Sequence, residues 1–131
     1  MDMDALHTPF LNYLDGHVVR CENDESELQL TVQPVHANLQ GIAHGGVLAT
    51  LLDTACGYSG LSDAEPTIKG ASTISLSINY LSKARIGDLL TAHGWRTGGG
   101  RRIFFAQAKI SNQNGDTIAT ASGAFRYASQ R

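Results

Sequence analysis

One segment sets the terms for any fold this chain can adopt. Across residues 47–60, Leu48, Leu51, Leu52, Ala55, Cys56 and Tyr58 recur at a helical period, and no other stretch of comparable length reads as helix. At 100° per residue, the apolar positions from Val47 through Cys56 sweep an arc of about 180°. A helix that apolar must be enclosed, so the other residues have to form its wall. Gly57 and Gly60 are expected to close it. One carboxylate, Asp53, interrupts the run; it lies roughly 150° from the centre of the apolar arc and so points away from the buried face.

The wall reads as strands. Residues 4–14 place Leu6, Phe10, Leu11 and Leu14 at helical spacings, which predicts a short amphipathic helix with Pro9 near its start. Residues 18–21 and 27–32 then read as two strands joined by a polar turn, with Leu28, Leu30 and Val32 alternating along one face and Pro34 ending the hairpin. After the long helix come extended segments at 73–81, 89–97, 103–111 and 117–127, separated by Gly87-Asp88, Gly98-Gly99-Gly100 and Asn114-Gly115. Without strand-helix alternation this is an α+β layout, expected to close as an antiparallel meander. One helix covers one face of such a sheet and leaves strand edges open, so at least a homodimer is expected.

Length and composition narrow the function. At 131 residues with 42% hydrophobic side chains, residues 1–131 suit a single domain with its own core. The acidic first residues lack the basic and long apolar regions of a secretory signal, and no apolar run is long enough to span a membrane. Cys21 and Cys56 are too few for a disulfide framework, which favours a reducing, cytoplasmic setting. Residues 1–53 hold eight acids against Arg20 alone, while residues 54–131 hold nine bases against four acids, −7 and +5 within a net charge of −2. That asymmetry fits a local anion site better than a nucleic-acid surface. His36 and His93 have no second ligand at metal-site spacing, so no metal is expected.

The chemistry concentrates just before the long helix, in His36-Ala37-Asn38-Leu39-Gln40-Gly41-Ile42-Ala43-His44-Gly45-Gly46. Two glycines where a helix begins leave backbone N–H groups free to face a developing negative charge. Addition of water to a carbonyl needs such donors on one side and a carboxylate or activated water on the other. Gly45 and Asp53 supply both kinds of group. An isolated Asp on a helix is usually a solvated acid, and the company of Asn38, His44, Gly45 and Gly46 is what turns Asp53 toward catalysis.

Asn38 six residues before His44, the His44-Gly45-Gly46 triplet, Asp53 nine residues after His44, and residues 72–81 ending Asn79-Tyr80-Leu81 before Gly87-Asp88 together resemble the hot-dog-fold acyl-CoA thioesterases, in particular the PaaI-type branch associated with phenylacetate degradation. The resemblance spans nearly the whole chain. It implies one long helix wrapped by a curved antiparallel sheet, in homodimers assembling further to a homotetramer, with each active site drawing on two chains. It implies Asp53 as general base or nucleophile and Asn38 orienting it or its water. Gly45 N–H would polarise the carbonyl, His44 would position the thioester or brace the loop, and Thr73, beside Ser72 and Ser75, would hold the attacking water. The implied substrate is an acyl-CoA, with coenzyme A part of the substrate and no separate cofactor. Gly46, Lys83, Arg85, Arg101 and Arg102 are the candidates for binding it, the four cations through its phosphates. Apolar Leu39, Ile42, Tyr58 and Leu61 are candidate pocket residues. Two rivals are a hot-dog enoyl-thioester hydratase and a non-catalytic acyl-CoA-binding regulatory or scaffold protein.

Overall fold

The computed structural model describes residues 2–129. The N-terminal segment forms two short helices, α1 (Met3–Leu6) and α2 (Pro9–Tyr13), where one was expected. Proline supplies the break: it holds Thr8 in an extended conformation and starts a new helix, which the Thr8 hydroxyl caps by accepting from Leu11 N–H at 3.3 Å. Strands β1 (His17–Glu22) and β2 (Glu25–Thr31) follow as a hairpin. Its two-residue turn puts Asn23 and Asp24 at φ 54° and 59°, a backbone that these short polar side chains tolerate and that matches the strand twist.

A 3-10 turn at Pro34–His36 leads through the glycine loop into α3 (Gly45–Leu61), which touches every strand of the sheet. Leu51, Leu52, Ala55 and Cys56 are fully buried along it. Gly57 and Gly60 do not close α3; the helix runs through both to Leu61. Gly60 is instead a notch for an aromatic ring, since a Cβ there would lie 2.2 Å from the ring of Phe104. On the sheet side, a Cβ at Gly94 would lie 2.2 Å from the carbonyl oxygen of Ala55. Helix and sheet therefore meet more closely than side chains would permit.

The remaining strands are β3 (Ile68–Tyr80), β4 (Leu89–Gly99), β5 (Ile103–Ser111) and β6 (Thr117–Ser129). All six pair antiparallel in the order β1-β2-β4-β5-β6-β3. Only β4, β5 and β6 form the expected meander. The expected neighbour of β4, strand β3, lies at the far edge against β6, because β2 and β5 occupy both sides of β4. Residues 81–88 cross between them: Leu81 and Ser82 N–H donate to Ile118 C=O, Ala84 C=O accepts from Ala43 N–H, and Asp88 C=O accepts from Val32 N–H. Through these bonds and the Ile42–Arg85 bridge, the crossover fixes the glycine loop to the sheet. The Gly98–Gly100 stretch also differs from a simple turn, since β4 continues to Gly99 past a bulge between Arg96 and Gly98.

Candidate active site

The loop before α3 is organised by its own hydrogen bonds. Asn38 N–H donates to Ile42 C=O at 2.8 Å, while its side-chain oxygen accepts from Gln40 N–H at 2.8 Å and Ile42 N–H at 3.3 Å. Gly41, at φ 76°, turns the chain where an L side chain would be strained. The ring of buried His36 accepts from Gln33 N–H through Nδ1 and donates to Leu14 C=O through Nε2, tying the loop to the end of α2. His93 likewise is occupied, with Nε2 at 2.5 Å from Glu25.

His44 is the N-cap of α3, and its Nδ1 accepts from Gly46 N–H at 2.8 Å. An imidazole accepting at Nδ1 carries its hydrogen on Nε2, which leaves that edge a donor. The same bond consumes Gly46 N–H. Gly45 N–H has no acceptor among the described residues, so it is the free donor at the helix start. Gly46 has no room for a side chain, because a Cβ would sit 2.9 Å from His44 Nδ1. Tyr80 closes the wall by donating its hydroxyl to Gly45 C=O at 3.2 Å. Asn38, Ile42, Gly45, Leu48, Tyr80 and Lys83 line one cleft of about 310 Å³.

Asp53 belongs to a different part of the surface. Its Oδ1 accepts from Thr73 Oγ1 at 2.6 Å, joining the outer side of α3 to the edge strand. Strand β3 needs an irregularity to make that contact. Leu76 and Ile78 pack toward the core, so strict alternation would turn Thr73 outward; the register shifts between Thr73 and Ser75, and Ala71 and Thr73 face the helix instead. Of the three neighbouring hydroxyls at 72, 73 and 75, it is Thr73 that bonds Asp53. Cys56 is buried beside this carboxylate, and burial first, then the Asp53 charge, push its thiol up to about 12, so it stays protonated and is no nucleophile.

The expected residues thus fall into two groups within one chain. Asp53 and Thr73 form one; Asn38, His44, Gly45 and Gly46 form the other, about 12 Å away along α3. Lys83 lines the Gly45 cleft, and Arg85 lies on the same crossover, its N–H donating to Asp88 at 2.9 Å. Arg101 and Arg102 sit in the β4–β5 hairpin and line another cleft, with Asp63 and Glu65. Among the expected pocket residues, Ile42 lines the Gly45 cleft, Tyr58 and Leu61 line the Asp53 side, and Leu39 is fully exposed. The role of Tyr80 against Gly45 C=O was not read from sequence, although the residue stands in the Asn79-Tyr80-Leu81 signature.

Comparison with known proteins agrees with this architecture. The pattern of the thioesterase superfamily matches residues 40–119, from the glycine loop to β6. The medium/long-chain acyl-CoA thioesterase YigI of Escherichia coli is 28% identical over 138 residues, 95% of this chain and 88% of that one. The E. coli PaaI protein of the phenylacetic acid degradation operon superposes with a TM-score of 0.85 at 24% identity, over 92% of this chain and 85% of PaaI. A hypothetical thioesterase of Streptococcus pneumoniae, solved with coenzyme A, superposes with a TM-score of 0.79 at 28% identity, over 88% of this chain and 90% of its own. Among the described residues, no helix is long and apolar enough to cross a membrane. The chain belongs to the thioesterase superfamily and is a thioester hydrolase with the hot-dog fold.

Proposed function

We propose that this protein hydrolyses acyl-CoA thioesters at a site formed between two copies of the chain, with Asp53 of one facing the His44-Gly45 loop of the other. The observation that carries the reading is the pairing of a Thr73-oriented carboxylate with a free Gly45 N–H in a separate cleft of the same chain. Neither group serves a thioester alone, and about 12 Å of helix keeps them from meeting within one chain. Strand β3 offers a route for association: it is a 13-residue edge strand, with Ile74 and Tyr80 about half exposed.

In the proposed reaction, Gly45 N–H and His44 Nε2–H donate to the thioester oxygen as it gains charge. Asp53, held by Thr73 through Oδ1, has Oδ2 free to take a proton from water while the water oxygen attacks the carbonyl carbon. Collapse of the adduct breaks the C–S bond, and the departing thiolate takes the proton held by Asp53, which gives free CoA and restores the carboxylate. The alternative for the same carboxylate is direct attack to form an anhydride that water then opens. A single turnover in ¹⁸O-water that places label in Asp53 identifies the anhydride route, opened by water at the Asp53 carbonyl, since direct attack of water on the thioester puts the label only in the product acid. Lys83 lines the Gly45 cleft, Arg85 lies two residues further along the same crossover, and neither side chain forms a salt bridge among the described residues, so they are suited to the CoA phosphates. The S. pneumoniae relative solved with coenzyme A supports an acyl-CoA substrate here.

The test is release of CoA thiol from acetyl-, hexanoyl-, phenylacetyl-, benzoyl- and palmitoyl-CoA by wild type and Asp53→Ala. Turnover in wild type and its loss in the variant is the expected result. Tight acyl-CoA binding without turnover of any thioester would overturn it in favour of a binding protein.

A further inference from the structure

The Asp53–Thr73 pair opens on two sides, and one of them holds space that the fold does not need. Gly57 lies one helical turn after Asp53, on the same side of α3. Glycine inside a helix is less stable than alanine, and at Gly60 the close approach of Phe104 explains it. At Gly57 nothing does: a Cβ there would have no atom within 4 Å. The same is true of Gly70 across the gap on β3. Between them runs a cleft of about 340 Å³ that starts at Asp53 and Thr73 and ends among Leu6, Tyr58, Leu61 and Phe125. Its outer wall is the N-terminal segment, held in place by the Tyr58 hydroxyl donating to Leu6 C=O at 2.6 Å and by His7 accepting from Val18 N–H at 3.0 Å. On the opposite side of Asp53, the cleft toward Thr50 and Leu76 is bounded by the half-exposed ring of Phe10.

We propose that the Gly57 cleft is the acyl subsite and that Gly57 is the residue that sets its depth, admitting a medium-length alkyl chain or a single aromatic ring. This rests on the proposed use of Asp53 and Thr73 at the thioester. With the carbonyl carbon beside Asp53, an acyl group extending past Gly57 exchanges water for the side chains of Leu6, Leu61 and Phe125, while an acetyl group ends before reaching them.

The experiment compares wild type, Gly57→Ala and Gly57→Leu in two assays. In hydrolysis, the ratio of kcat/KM for hexanoyl-CoA over acetyl-CoA is expected to fall at least about tenfold in Gly57→Leu, which removes the room for several methylenes. Gly57→Ala, a better helix former that adds one methyl into open space, should lower the ratio by roughly twofold to threefold while raising Tm by roughly 3 °C. In binding, S-hexyl-CoA, a thioether with no bond to hydrolyse, should bind wild type at least about tenfold more tightly than CoA, and Gly57→Leu should erase the difference. An unchanged ratio in both variants overturns the proposal, and does so most directly if Phe10→Ala changes it, which would place the acyl group on the Thr50 side. The thioether separates this from the hydrolysis itself: if wild type turns over no thioester but the S-hexyl preference is lost in Gly57→Leu, the subsite stands and the reaction does not.

Discussion

The two halves of the site are built in opposite ways. The Gly45 half comes from eleven consecutive residues, 36–46, cross-linked to one another through Asn38, His36 and His44 and anchored outward by His36 to Gln33 and Leu14 and by Ala43 to the 81–88 crossover. The Asp53 half rests on one side chain–side chain bond between residues twenty apart, at an open edge of the sheet. A loop closed on itself holds its donor in place before any ligand arrives. In the proposed dimer, the carboxylate at the unpaired edge is completed by the partner chain. In the proposed reaction the electrophilic half is a local structure and the basic half a tertiary one, and variants should separate them.

The largest effect belongs to Asp53. Asp53→Ala should lower kcat by roughly 10²- to 10⁴-fold while leaving the fold intact, because the side chain points away from the core and leaves no buried partner behind. Retained turnover with an unchanged circular dichroism spectrum would remove the carboxylate from the mechanism. Slightly below it stands Gly45→Pro, which deletes the one free N–H at a position where proline suits helical backbone. His44, at φ −62° and ψ 138°, already has the extended conformation that a following proline demands. Its expected cost is roughly 10²- to 10³-fold in kcat, the worth of one oxyanion donor.

Mixing those two variants tests the comparison directly. If the halves meet across two chains, a heterodimer of Asp53→Ala and Gly45→Pro keeps one intact site and one doubly damaged site. A statistical mixture refolded or coexpressed together then regains about a quarter of wild-type activity, since half of the dimers are mixed and each has one good site of two. Activity no higher than that of the separate variants would put both halves of each site in the same chain.

What could be read from sequence follows the same division. Helix α3 and the glycine loop were legible because their signals are local: a 3.6-residue apolar period, a His capping the helix, and glycines where side chains cannot fit. The outward direction of Asp53 was legible for the same reason. The place of β3 was not, since the eight residues after it resemble a hairpin loop, and only the occupancy of both sides of β4 sends β3 to the far edge. Nor could Thr73 be separated from Ser72 and Ser75, because a register shift within the strand decides which hydroxyl faces the helix. The break between α1 and α2 is encoded at Pro9, although the helical spacing of Leu6, Phe10, Leu11 and Leu14 runs unbroken across it.

The Thr73 contact provides a graded test of the tertiary half. Thr73→Val keeps the shape and removes the hydroxyl, and roughly a tenfold loss in kcat is expected, against a loss within about twofold in Thr73→Ser, which can still donate to Asp53. Equal rates in all three proteins would mean that Asp53 is positioned from elsewhere.

The smallest effect is expected at Tyr80, where the local half meets the strand that carries the other. Tyr80→Phe removes the hydroxyl that donates to Gly45 C=O at 3.2 Å, a bond at an exposed position worth about 0.5–1.5 kcal/mol at most. The ring stays, and with it the contact that would lie 3.4 Å from a Cβ at Gly45. If the loop is held by its own hydrogen bonds, kcat should fall no more than roughly threefold and Tm by roughly 2–4 °C or less. A loss approaching that of Gly45→Pro would show that the Gly45 donor depends on β3 after all. The oxyanion half would then be as much a tertiary construction as the carboxylate half.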